Sequence, residues 1–232
     1  VDVRRRPRVA VISTGSELAP PGGVFAHGQI PESNSILLAA SCREAGADLV
    51  SVTTVTDEDA AFDAGFTHAV DDLGADLVVT SGGVSAGAYE VVKNTLAGTM
   101  EFTQVAMQPG KPQGFGATAS GTLLFGLPGN PVSAAVSFEV FVRPALLALQ
   151  GRDDLGHPTL RLPAAVSWRT PPGRRQYLAA TVDRSDPAQW RVAPASSGGS
   201  ASHRAGRLGH ADARAIVPAG IDRIDAGDIG DV

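Results

Sequence analysis

Cysteine and lysine are the scarce side chains of this 232-residue chain, and each scarcity narrows its chemistry. A single cysteine, Cys42, rules out an internal disulfide and a cysteine-built zinc site. It falls within an apolar helical pattern and reads as a buried bystander rather than a nucleophile. Lys93 and Lys111 are the only two lysines, and the formal net charge is −5. Arg4-Arg5-Arg6 is the one basic run and reads as a solvated hinge ahead of a strand. Without a wider basic stripe, nucleic acid and membrane surfaces are poor partners. Aromatic residues are low at 5%, whereas the hydrophobic share of 43% is ordinary for a globular chain. No stretch reads as long enough for a membrane span, and the N-terminus has no apolar signal core, so a cytoplasmic location is expected.

Familiar catalytic fingerprints are missing too. There is no G-x-x-x-x-G-K-[ST] loop, no G-x-G-x-x-G turn and no G-x-S-x-G elbow. The five histidines, His27, His68, His157, His203 and His210, show no ligand spacing. The chain starts at Val1 in a hinge-like segment, which predicts the C-terminal part of a longer protein.

What is present is a set of bare turns. Residues 77–80 run into Ser81-Gly82-Gly83-Val84-Ser85-Ala86-Gly87. Like 77–80, residues 105–108 and 122–125 read as strands; they break into Pro109-Gly110-Lys111-Pro112 and into Gly126-Leu127-Pro128-Gly129-Asn130-Pro131-Val132-Ser133. Glycine lets backbone N–H groups approach a ligand, and proline stiffens the turn. In an open α/β sheet such loops lie at the carboxyl ends of strands, where ligands bind. Three together predict an anion cradle around one pocket.

In chain order, residues 8–13 read as a strand buried on both faces, ending in the turn Thr14-Gly15-Ser16-Glu17-Leu18. A helix follows Gly28-Gln29-Ile30-Pro31-Glu32-Ser33-Asn34, capped by Ser33 or Asn34 and stopped at Gly46. Residues 49–55 form a second strand, and Asp57 opens the next helix. Residues 89–96 form another helix. Asn130 caps the last, with Pro131 at its first position, and that helix runs to about Gln150 with a kink at Pro144. The predicted fold is a three-layer α/β/α sandwich over residues 8–150, after a hinge at 1–7. Residues 151–157 read as a linker. Helical periodicity then ends: 160–168, 176–182, 190–193 and 213–217 read as short strands of an all-β, barrel-like domain over 158–232, with a flexible loop at 196–202.

Three carboxylates, Glu17, Asp57 and Glu90, each follow a strand. If those strands are neighbours, all three face one cleft, as an oxygen set for Mg²⁺. Helix capping by Asp57 and plain exposure of Glu17 and Glu90 are the alternatives. Lys111, on a stiff proline-flanked turn, suits an anionic group, unless it is simply an exposed turn lysine.

TGSEL (14–18), GQIPESN (28–34), SGGVSAG (81–87), PGKP (109–112) and GLPGNPVSA (126–134) together resemble the MoeA family of molybdopterin molybdotransferases, which is related to the gephyrin E domain. PGRRQYLAATV (172–182) and GHADARAIVPAG (209–220) resemble its last domain more loosely. The resemblance implies a fold of the MoaB/Mog type. It implies molybdenum insertion into adenylylated molybdopterin with Mg²⁺-dependent release of AMP, molybdate being the second substrate. It assigns the pterin and phosphate contacts to Thr14, Gly15, Asn34, Ser81, Gly82, Gly83, Ser85 and Gly87, to Pro109 and Gly110, and to Pro128, Gly129, Asn130, Pro131 and Ser133. Mg²⁺ falls to Glu17, Asp57 and Glu90. Lys111 would offset the anion, and Arg174 would help hold it. The same resemblance implies two further N-terminal domains, a homodimer whose active site a partner subunit completes, and traffic with a molybdopterin adenylyltransferase and apo-molybdoenzymes.

The sequence departs from the family at four places: Glu32 and Glu90 where Asp is common, Gln108 where a cation is, and Arg207 where a small hydroxyl residue is. Two other readings stand beside the enzyme. One is a gephyrin-like scaffold module, which need not keep the carboxylates and Lys111. The other is a nucleotide-binding pyrophosphatase-type domain, which the appended β domain disfavours.

Overall fold

The first strand already dictates a layer on each side of a sheet. β1 (Arg8–Thr14) turns Val9 and Val11 to one face and Ala10 and Ile12 to the other, and all four are fully buried. Only a strand covered on both faces needs that pattern. The computed structural model describes residues 3–84, 91–195 and 209–232.

Two short strands, β2 (Leu18–Ala19) and β3 (Ile30–Pro31), pair beside the first turn. They are followed by α1 (Asn34–Glu44), β4 (Asp48–Val55), α2 (Asp59–Thr67), β5 (Leu77–Ser81) and α3 (Val91–Thr95). Then come β6 (Met100–Gln104), β7 (Met107–Gln108), β8 (Pro112–Ala117), β9 (Leu123–Leu127), α4 (Pro131–Ser137) and α5 (Arg143–Leu149). The main sheet has the order β4-β1-β5-β9-β8-β6, parallel among its first four strands and antiparallel at β8 and β6. Leu38, Cys42, Phe138, Val142 and Leu146 cover one face, and Phe62, Val91, Val92 and Leu96 the other. The result is the expected three-layer sandwich. Burying each large apolar side chain stabilises it by about 1.5–3 kcal/mol. Cys42 lies in this core, where burial pushes its thiol up to about 12.

The chain divides into two compact units, Val1–Gln104 with Pro112–Gly156 and Val105–Lys111 with His157–Val232. In the second unit β10 (Arg161–Pro163), β12 (Arg175–Asp183), β13 (Arg191–Pro194), β14 (Ala213–Val217) and β16 (Ile229–Asp231) form one sheet, while β11 (Trp168–Arg169) pairs with β15 (Arg223–Ile224). Gln176, Leu178, Ala180 and Val182 alternate inward along β12. With Leu162, Val192 and Ala215, the last three of these make a separate small core.

Several local expectations change. The run 160–168 is two strands in different sheets, and 105–108 is strand only at Met107–Gln108. Helix α2 starts at Asp59 with Glu58 at its N-cap, because Asp57 is tied back to Ser16 instead. The expected kink at Pro144 takes the form of a π-helical turn, Phe138–Val142, between α4 and α5. Proline has no N–H to return to the preceding turn, and the ladder shifts to accommodate it. By length and composition Pro131–Leu149 is apolar enough to cross a membrane, which the reading from sequence overlooked. Phe138, Val142 and Leu146 of that run lie in the core on the sheet. The arginine run is not free in solvent either. Arg5 makes a two-pronged pair with the Asp76 carboxylate at 2.5 and 2.6 Å, and the Arg8 N–H donates to the same group. The loop 196–202, and Ser85, Gly87, Glu90, His203 and Arg207, lie outside the described residues.

Candidate functional site

After β1 the chain crosses to β4 on one side, then returns past β1 to β5 on the other. A crevice therefore opens beyond the carboxyl ends of β1 and β5, the usual ligand position in such sheets. Thr14 ends β1 and Ser81 ends β5. Gly82 follows with φ +94°, and a Cβ there would stand 2.5 Å from the Thr14 carbonyl oxygen and 2.8 Å from its hydroxyl. A Cβ on Gly129 would lie 3.4 Å from the Gly82 Cα. Three turns thus meet with nothing but backbone between them. The Gly82 N–H is spent on the Leu127 carbonyl at 3.2 Å, so it braces the turn rather than offering itself to a phosphate.

Asn34 stitches this junction together. Its side-chain N–H₂ donates to the Ser81 hydroxyl at 2.7 Å and to the Gly129 carbonyl at 2.6 Å. Asn34 and Thr14 are both more than nine-tenths buried, and the Asn34 Oδ1 and Thr14 Oγ1 have no hydrogen-bond partner among the described residues. Buried polar atoms are ordinarily satisfied, so two orphans at one crevice mark a place that a ligand or water completes. Asn130 caps α4, accepting from the Val132 N–H at 3.1 Å, with Pro131 next to it. Ser133 is buried behind that cap, and Pro128 precedes it.

The role of a residue close to Asn34 in the chain escaped the sequence reading. Ser33 occupies the N-cap of α1 but its side chain makes no capping bond. Glu32, only 5% exposed, does that work: its Oε1 accepts from the Ser35 N–H and the Ser13 hydroxyl, each at 2.9 Å, and its Oε2 accepts from the Ser35 hydroxyl. The signal in the sequence was a carboxylate two residues before Asn34, flanked by serines.

Of the three carboxylates, Glu17 is exposed on the turn that begins at Gly15. Asp57 accepts from the Ser16 N–H at 2.9 Å, and the Ser16 hydroxyl accepts from the Asp57 N–H. Both therefore flank the Gly15 turn. Among the described residues no three metal-ligating side chains come together, and Glu90, the third ligand expected beside Glu17 and Asp57, lies outside them.

The cations belong to the second unit. There β7 pairs in parallel with the start of β12, with the Arg175 N–H donating to the Ala106 carbonyl at 2.9 Å. The Val105 N–H donates to the Lys111 carbonyl at 2.8 Å. The turn Pro109-Gly110-Lys111 and the turn carrying Arg174 are thereby gathered on one segment, residues 105–108. Pro109 and Gly110 are buried, Lys111 is exposed and Arg174 half-buried. A cavity of about 420 Å³ also lies in this unit, lined by Trp168, Val192, Pro218 and Ile221 among others. None of the predicted site residues among the described ones lines it.

Residues 10–148 match the family described as a probable molybdopterin binding domain. The chain belongs to that family, on its MoeA side. It is 52% identical over 187 residues to molybdopterin molybdenumtransferase 2 of Mycobacterium tuberculosis, covering 77% of this chain and 45% of the relative. It is 36% identical over 241 residues to molybdopterin molybdenumtransferase 1 of the same organism, covering 99% and 55%. A solved MoeA protein from Pyrococcus horikoshii superposes with a TM-score of 0.79 at 28% identity, covering 98% of this chain and 54% of the other. This MoeA-type chain therefore spans about half the length of the relatives it matches.

Proposed function

We propose that this chain is the part of a molybdopterin molybdenumtransferase that seats adenylylated molybdopterin while molybdenum enters its dithiolene and AMP leaves. The observation that carries the reading is the junction of Thr14, Asn34, Gly82 and Gly129, with two orphaned polar atoms at the strand-end crevice of a molybdopterin-binding fold. A neutral amide and a hydroxyl suit the polar edge of a pterin or nucleotide. Lys111 and Arg174, collected on one segment of the second unit, suit an oxyanion such as molybdate or phosphate. Exchange at molybdenum needs no protein nucleophile, in keeping with a site that has no base–nucleophile pair among the residues assigned to it.

Mg²⁺ belongs to the proposal as well, taken by Glu17, Asp57 and Glu90, where it would offset phosphate charge. So do a homodimeric full-length protein, a cytoplasmic location, a molybdopterin adenylyltransferase as supplier and apo-molybdoenzymes as recipients. The test is molybdate-dependent AMP release by the full-length protein. Lys111→Ala removes an electrostatic donor and should slow release by about 10²–10³-fold, by analogy with an oxyanion-hole donor. Lys111→Arg should not restore the rate, because the planar guanidinium is bulkier within a proline-flanked turn. Rates within a few-fold of wild type for both Lys111→Ala and Glu17→Ala would overturn the assignment.

A further inference from the structure

We propose that Glu32 is a positioning residue for the ligand seat. Its buried carboxylate fixes the first turn of α1 so that Asn34 presents its side-chain carbonyl oxygen to an N–H or O–H donor on the ligand. The inference rests on the crevice being that seat.

The geometry leaves Glu32 little freedom. Its three partners, the Ser13 hydroxyl, the Ser35 N–H and the Ser35 hydroxyl, all donate, and both carboxylate oxygens are used. Ser13 immediately precedes Thr14 at the end of β1, and Ser35 immediately follows Asn34 on α1. The Glu32 backbone N–H donates to the Ala19 carbonyl at 2.8 Å. Asn34 is thus bracketed by one residue that grips β1 and another that grips the same carboxylate.

The Asn34 amide then has a single workable orientation. A backbone carbonyl only accepts, so the atom 2.6 Å from the Gly129 oxygen must be the nitrogen. The second hydrogen of that nitrogen goes to Ser81. Both donors are spent, and the unpartnered atom is an acceptor, buried with a residue exposure of 7%. A phosphate oxygen, itself an acceptor, would be repelled there. A donor would complete it: a pterin N–H, an adenine amino group or a ribose hydroxyl. Asn34 accordingly reads the donor-bearing part of the ligand, and the phosphates sit elsewhere.

The experiment is calorimetry on the full-length protein with three probes: molybdopterin, AMP and inorganic pyrophosphate. Asn34→Ala should weaken molybdopterin or AMP at least tenfold and leave pyrophosphate within twofold. Glu32→Gln should weaken the same probe by several-fold, because its amide replaces one acceptor with a donor. In the Asn34→Ala background Glu32→Gln should add nothing, since its effect passes through Asn34. A merely structural glutamate would give additive losses, and additivity overturns the proposal. So does an equal loss of pyrophosphate binding, or wild-type affinity in Glu32→Gln. If Glu32→Gln does not fold, Ser13→Ala, which removes one donor, must show the same non-additivity. Binding of none of the probes by wild-type protein overturns the ligand reading and this assignment together, whereas binding with additive losses overturns the assignment alone.

Discussion

Glycines at the strand-end junction and glycines of the open turns answer to different constraints. In the first unit a Cβ on Gly82 would strike the Thr14 carbonyl at 2.5 Å, one on Gly126 the Val84 Cγ1 at 2.9 Å, and one on Gly116 the Thr99 carbonyl at 2.2 Å. At Gly22, Gly28, Gly74, Gly98 and Gly121 of the same unit, and at Gly173, Gly220, Gly227 and Gly230 of the second, a Cβ would meet nothing within 4 Å among the described residues. A turn built by close approach of backbones holds its neighbours to a few tenths of an ångström. A turn built only for the chain to reverse does not. The chemistry is divided too: the interlocked junction carries an amide, hydroxyls and backbone, the open turn at Gly173 carries Arg174, and Lys111 is exposed beside buried Pro109 and Gly110. Neutral donors and acceptors are directional and need that precision, while a charge acts over a longer range.

The comparison breaks most visibly at Gly82. Alanine there combines a left-handed φ of +94° with a hard contact against backbone that cannot swing away. Strain and overpacking together should cost about 3 kcal/mol or more. Chemical denaturation of the full-length protein should show a lower midpoint with an unchanged slope. A midpoint within error of wild type would mean that the three turns are not interlocked.

Much of this junction was legible in the sequence, because its parts are local. The Pro-Gly-Asn-Pro cap, the turn glycines and the buried strands each announce themselves within a few residues. What was not legible depends on distant pairing. Nothing within residues 100–117 says that β6 and β8 close on each other at Gln104 and Pro112, or that the residues between them pair with β12. Glu32 was visible only as a departure from a familiar pattern. Its role needs Ser13, 19 residues away, to arrive beside it. Asp57 read as a helix cap because its partner, Ser16, is 41 residues off.

Gly173 sharpens the contrast at an intermediate size. Its φ of +66° disfavours any side chain, but the space around it is open. Gly173→Ala should cost only about 1–2 kcal/mol, the ordinary penalty of the left-handed region. Gly220, with open space and no positive φ, should accept alanine within about 0.5 kcal/mol. Thermal melts of the three glycine variants should therefore rank Gly82, Gly173 and Gly220 in that order. A Gly173→Ala loss equal to that of Gly82→Ala would erase the distinction between crowded and open turns.

The smallest expected effect concerns two aspartates held below the usual carboxylate range. In the first unit the Arg5 guanidinium, hydrogen-bonded to Asp76, lowers its carboxyl, partial burial opposes that, and the Arg8 N–H adds to the lowering. In the second unit the Ser185 N–H and hydroxyl do the same for Asp183. A carboxyl lowered in the folded state contributes stability that is full above its unfolded value, about 3.9, and is lost as pH falls through the folded one. The partners differ in reach. Arg5 lies 71 residues from Asp76, whereas Ser185 lies two from Asp183. A contact two residues apart can persist in the unfolded chain, which cancels its share of the linkage, and one across 71 residues cannot. Asp76→Asn should therefore narrow its stability gap to wild type as pH drops from 6 toward 3. Asp183→Asn should track wild type throughout, with both followed by denaturant midpoint. Parallel curves for Asp76→Asn and wild type would show that Arg5 does not anchor the start of the chain to β5 in solution.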